Sequence, residues 1–207
     1  MGIQPHWAVP SIRLRSQFFY GMGDSMDESI VSRKFNAGEI QIINQAVTMA
    51  EELVSNHYKM SASQWLRPKY DVKTFADLSA AEIVDGPFAQ IIRYEGQRKG
   101  STLGSEAYDF YKICLQDPAI LKTMQHHPEL MLLPFGLYIV VHELVHIVRF
   151  SKFLQNFHAS TDEKLLEEHR VHDITHQILT PVRLTGLEAA MDYYRNWRVP
   201  IERLRDI

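Results

Sequence analysis

The chain has a single cysteine, Cys114, in 207 residues. This excludes an intrachain disulfide and a zinc cage built from thiolates. Its setting, Phe110-Tyr-Lys-Ile-Cys-Leu115, is apolar and reads as packing rather than a reactive thiol. Such scarcity fits a reducing compartment, and the expected location is cytoplasmic. An excess of charge is also missing: 22 Lys and Arg stand against 25 Asp and Glu, for a formal charge of -3. With no basic footprint, nucleic acid is not expected as a partner. Long apolar runs are absent too. The longest, Leu130 to Val141, is interrupted by Pro134 and Gly136 and falls short of the roughly 20 residues that span a bilayer. Residues 1–19 lack the basic-then-apolar layout of a secretory signal, so no membrane partner is expected. There is no internal repeat and no low-complexity tract. Length and a 45% hydrophobic content fit one ordinary domain over residues 1–207.

Along the chain, residues 1–35 read as an irregular segment. Asn36-Ala-Gly-Glu39 has capping-box spacing and opens a helix to about His57, with Ile40, Ile43, Val47, Ala50 and Val54 on one face. Residues 60–80 read as loop around Trp65, Pro68 and Tyr70. Ser79-Ala-Ala-Glu82 is a second capping box, stopped within two turns by Gly86-Pro87. Phe88-Ala-Gln-Ile-Ile-Arg-Tyr94 is the best strand candidate. From residue 105 the reading is helical: Ser105 to Gln116, then Pro118 to about His126, then a long helix from Pro134 to near Asn156. Ser160-Thr-Asp-Glu163 opens another to about Thr180, and Thr185-Gly-Leu-Glu188 one through Trp197; residues 200–207 form a tail. The expected class is α+β and mostly helical, with a small sheet or edge strand before the long helix.

That long helix carries Ile139-Val-Val-His142-Glu143-Leu-Val-His146-Ile-Val148. The H-E-x-x-H spacing brings two imidazoles to one helix face, one turn apart, where both can bind one Zn²⁺. Glu143 then stands beside the position of a metal-activated water. The remaining positions are apolar, so the helix is buried, and a buried carboxylate needs a reason. A catalytic zinc needs a third protein ligand, and the next helix offers Glu163, Glu167, Glu168, His169, His172 and His176. At roughly 100° per residue, Leu165, Val171, Ile174, Ile178 and Leu179 define its buried side. Glu167 and Glu168 fall on that side, whereas His169, Arg170, Asp173 and Gln177 fall opposite. Glu168 ranks first because His172 follows one turn later and can support a ligand by hydrogen bonding; Glu167 ranks second. His172 and His176 read as supporting or surface residues.

H-E-x-x-H with apolar neighbours, followed about 20 residues later by a glutamate on a separate helix, resembles the gluzincin branch of zinc metallopeptidases. The resemblance covers Ile139 to Ile178. It implies zinc held by His142, His146 and Glu168, with Glu143 as general base in the hydrolysis of a peptide or protein substrate. It also implies an edge strand that aligns the substrate, a part open to residues 88–94. Two departures are visible. Gluzincins commonly carry an acidic residue one turn after the glutamate ligand, where this chain has His172. The metzincin continuation is absent, since His146 is followed by Ile-Val-Arg-Phe-Ser-Lys.

A donor for the oxyanion is also wanted, and Tyr193, Tyr194, His176 and Arg149 are the candidates. Two other readings stay open. Glu143-x-x-His146 and Asp173-x-x-His176, with Glu51, Glu52 or Glu106, could build a diiron carboxylate site between helices. Alternatively, the zinc site binds without cleaving. The tail, Ile201 to Ile207, is a candidate for folding back over a cleft. Substrate and oligomeric state are not readable from the sequence.

Overall fold

The computed structural model describes residues 10–15, 33–61, 69–97, 107–152 and 161–195. It is a mostly helical α+β fold with a small mixed sheet. The strands are β1 (Pro10–Arg15), β2 (Lys69–Lys73), β3 (Ala89–Gln97) and β4 (Ala107–Leu115), in the order β1-β3-β4-β2. β3 is antiparallel to both neighbours, while β2 runs parallel to β4. The helices are α1 (Ala37–Tyr58), α2 (Asp117–His126), α3 (Leu132–Ser151), α4 (Thr161–Leu179) and α5 (Leu187–Tyr193).

α1 begins where the capping box predicts. Asn36 Oδ1 accepts from the Glu39 amide at 2.9 Å, and Glu39 returns the bond to the Asn36 amide at 2.8 Å. Its buried face is Ile43, Ala46, Ala50 and Val54, small enough to let α3 lie close alongside. Gly136 of α3 completes that approach, because a Cβ there would stand 2.9 Å from Ile43 Cδ1. α3 is the core helix: every residue from Pro134 to Phe150 is buried, among α1, α4, α5 and β3. By length and composition alone it could cross a membrane, but 94% of its most apolar window is covered by the fold.

The sheet lies against this helix layer by one face. Ile91 and Ile113 are directly paired, and with Ala89, Tyr111 and Leu115 they join the core; Tyr111 stacks on Phe150 of α3. On the other face Gln90, Ile92, Lys112 and Cys114 are buried as well. A 3-10 turn at Ala80–Glu82 covers it: Lys112 Nζ meets Glu82 Oε1 at 2.6 Å, and Tyr94 and Gln90 donate to Glu82. Asp117, fully buried at the start of α2, accepts from the amides of Phe35 at 2.9 Å and Phe75 at 3.0 Å. One carboxylate thereby ties two distant segments to the helix layer.

Several expectations need correction. Residues 107–115 form β4, not a helix, because pairing with β3 and β2 and burial on both faces outweigh local preference. β1 and β2 lie inside stretches read as irregular. β3 matches the expected strand but is interior to the sheet, so it is not an edge that a substrate could extend. The Ser79 box closes only a single 3-10 turn. α5 starts from Gly186, in the left-handed conformation at φ 82°, with no side-chain cap; the Thr185 box therefore does not form, and the helix stops at Tyr193. The Ser160 cap, Glu106 and the tail lie outside the described residues.

Candidate metal centre

α3 and α4 lie against one another, and their facing residues build a buried polar cluster inside an otherwise apolar core. His142 and His146, one turn apart on α3, bring their Nε2 atoms to 3.2 Å. Glu168 of α4 spans both, with Oε2 at 3.4 Å from His142 Nε2 and Oε1 at 3.3 Å from His146 Nε2. Three donors each about 2.0–2.1 Å from a tetrahedral ion stand about 3.3–3.4 Å from one another. The His142–His146 separation is of this size, and the two Glu168 contacts end on different oxygens, so the carboxylate bridges the imidazole pair. The donor set of imidazole and carboxylate suits zinc and other divalent transition metals.

His172, one turn after Glu168, joins the group. One ligand atom each from His142, Glu168 and His172 lie within 4.8 Å of one another, a group that does not include His146, and the His142 and His172 rings stand 4.3 Å apart. The Tyr138 hydroxyl meets His172 Nδ1 at 3.0 Å. His142 Nδ1 is buried with no partner among the described residues, which departs from the acceptor that a metal-bound imidazole ordinarily has.

The electrostatics follow from burial. Desolvation lowers the pKa of His142, against the pull of Glu168, which favours the neutral imidazole that can offer a lone pair. His172 is pushed down to about 2, by burial first and then by His142. For Glu168, burial pushes the carboxyl up, but His146 and His142 outweigh it and hold it well below the usual range. Glu143 differs. Burial lifts it to about 7, with His146 opposing and Glu168 adding. A buried carboxyl with a raised pKa beside these groups marks the position as a candidate functional one.

The other sequence candidates go elsewhere. Glu167, the second choice as ligand, is turned to Arg149, which donates through Nε and, at 3.0 Å, through Nη2; Arg170 adds a contact at 2.8 Å. That two-point pair occupies Arg149 as well, so it is not aimed at the cluster as an oxyanion donor. Tyr193 lies among Phe88, Phe135 and His127, whereas its neighbour Tyr194 stacks on Tyr138, centroids 4.0 Å apart, and reaches His172. His176 contacts Thr180, and neither it nor Asp173 belongs to the donor group found among the described residues. His169, expected on the polar side of its helix, is buried. For a diiron site, Glu51 is engaged by Tyr70 and Glu52 is exposed. Sequence reasoning underrated His172, whose signal was the one-turn spacing from Glu168, and offered no cue for Tyr138.

No family model matches this chain, and neither does any curated protein or solved structure.

Proposed function

We propose that this chain is a zinc-dependent peptidase of gluzincin type, acting on peptide or protein substrates. The observation that carries the reading is the convergence of His142, His146 and Glu168, with the two Nε2 atoms 3.2 Å apart and each within 3.4 Å of one Glu168 oxygen, beside the buried Glu143. The three would hold the ion. When bound, zinc supplies Lewis acidity, activating a water and polarising the scissile carbonyl. Glu143, buried beside the donors, would hold and release the proton that such a hydrolysis moves. The apolar walls of α3 exclude bulk water, which strengthens these interactions.

The experiment is Glu143→Gln assayed on a broad peptide library, with bound zinc measured on the same samples. The expected result is zinc retained and cleavage abolished; cleavage at the unsubstituted rate would remove Glu143 from the mechanism. A second reading, metal binding without catalysis, draws on the burial of the whole donor set. It predicts stoichiometric zinc and no cleavage of any library member.

A further inference from the structure

His172 is the member of the cluster that the peptidase reading leaves as a supporting residue. It sits one turn after Glu168 on α4 and is 7% exposed. Its ring stands 4.3 Å from that of His142, and one of its nitrogens falls within 4.8 Å of ligand atoms on both His142 and Glu168. Its orientation is set from outside. The Tyr138 hydroxyl meets Nδ1 at 3.0 Å, and Tyr138 is held by Tyr194, the two rings nearly parallel at 6°. A hydrogen-bonded partner that fixes tautomer and ring direction is what a metal-binding histidine ordinarily has. A histidine that only supported Glu168 would have no cause to stand beside the His142 ring as well.

We propose that His172 is a fourth protein ligand, so that an ion drawing His146 to the His142–Glu168–His172 group is closed in its resting state by three imidazoles and one carboxylate. The proposal rests on the metal being held by His142, His146 and Glu168. With Nδ1 engaged by Tyr138, the ligand role falls to Nε2. Centres with four protein ligands hold an ion closed, whereas hydrolytic centres keep one position for water. Hydrolysis is therefore confined to molecules in which the His172 ring has swung aside, and the Tyr138–Tyr194 stack sets how many those are. If about one molecule in ten has the position open, an added ligand binds about tenfold more weakly than it would to an open centre.

Two measurements on the full chain test this. X-ray absorption at the zinc edge counts bound imidazoles in the Zn²⁺-loaded protein, and three are expected without recourse to any variant. Azide is then titrated into the Co²⁺-loaded protein and followed in the visible bands. His172→Ala should bind azide about tenfold more tightly than the parent, and Tyr138→Phe should shift the same way by less. Two imidazoles in the parent, or an azide affinity unchanged in both variants, would overturn the closed centre and leave the three-ligand site standing. A chain that takes up no metal removes both readings together. Should His172→Ala fail to fold, the imidazole count and Tyr138→Phe decide.

Discussion

Arg149 and Glu167 form a two-point ion pair between α3 and α4, and each is buried to within a tenth of full cover. Arg149 lies one turn beyond His146, and Glu167 directly precedes Glu168. The pair therefore fixes the register in which the Glu168 carboxylate reaches the two histidines. Replacing Arg149 by Met leaves Glu167 with only the half-exposed Arg170. The expected loss is about 3 kcal/mol of stability, read as a lower urea midpoint. Metal affinity should fall with it, and a normal zinc affinity would show that the pair does not set the register.

Metal binding should be visible as stabilisation. Zinc at a hundred times its dissociation constant adds about 2.7 kcal/mol, which for a chain of this size raises the melting temperature by about 5–10 °C. His146→Ala and Glu168→Ala should each abolish the rise in a thermal melt of the metal-free protein. A rise of the same size in either variant would place the ion elsewhere.

Acid stability should depend on Glu82. Burial pushes its carboxyl up, but Lys112, the Ser79 backbone and Tyr94 prevail and hold it at about 2, against roughly 4.3 in the unfolded chain. Since the folded pKa is the lower one, the stabilisation is complete above the unfolded value and is lost as pH falls through about 4.3 towards 2. Glu82→Gln should flatten the slope of stability against pH in that window, although it also lowers stability by leaving Lys112 buried without its charge partner. Parallel slopes for parent and variant, measured by denaturation from pH 5 to pH 2, would rule this out.

Close packing of α1 on α3 gives a fourth outcome. Gly136→Ala places a methyl 2.9 Å from Ile43 Cδ1 and should cost about 1–3 kcal/mol through overpacking. Because the obstacle is the tip of a flexible side chain, Ile43→Val in the same chain should recover part of the loss. A denaturation series of the two single variants and the double variant checks this.

How much of this was readable beforehand depended on how local the signal was. The His142–His146 helix and the Asn36 box are set within a few residues, and both were legible. β4 was not, because its two faces are buried for different reasons. Tyr111, Ile113 and Leu115 enter the core, while Lys112 and Cys114 lie on the other face, where the Glu82 turn covers the sheet; the alternation of polar and apolar that marks a strand is therefore lost. β2 was missed because its parallel pairing with β4 comes from a partner about 40 residues away in sequence. At the candidate metal centre, one helical wheel placed both Glu167 and Glu168 inward. Only the position of Arg149, on another helix, separates the residue that faces a cation from the one that faces the histidines.

The two amide bonds of Asp117 also bear on the order in which the chain folds. They close intervals of 82 and 42 residues, whereas Glu168 follows His142 by 26. Short loops close at lower entropic cost, and folding slows as contacts become more distant. The helix pair bearing the histidines and Glu168 can therefore meet while the N-terminal strands are still unpaired. A divalent ion present at that moment would speed the folding of the chain, in addition to stabilising the finished fold.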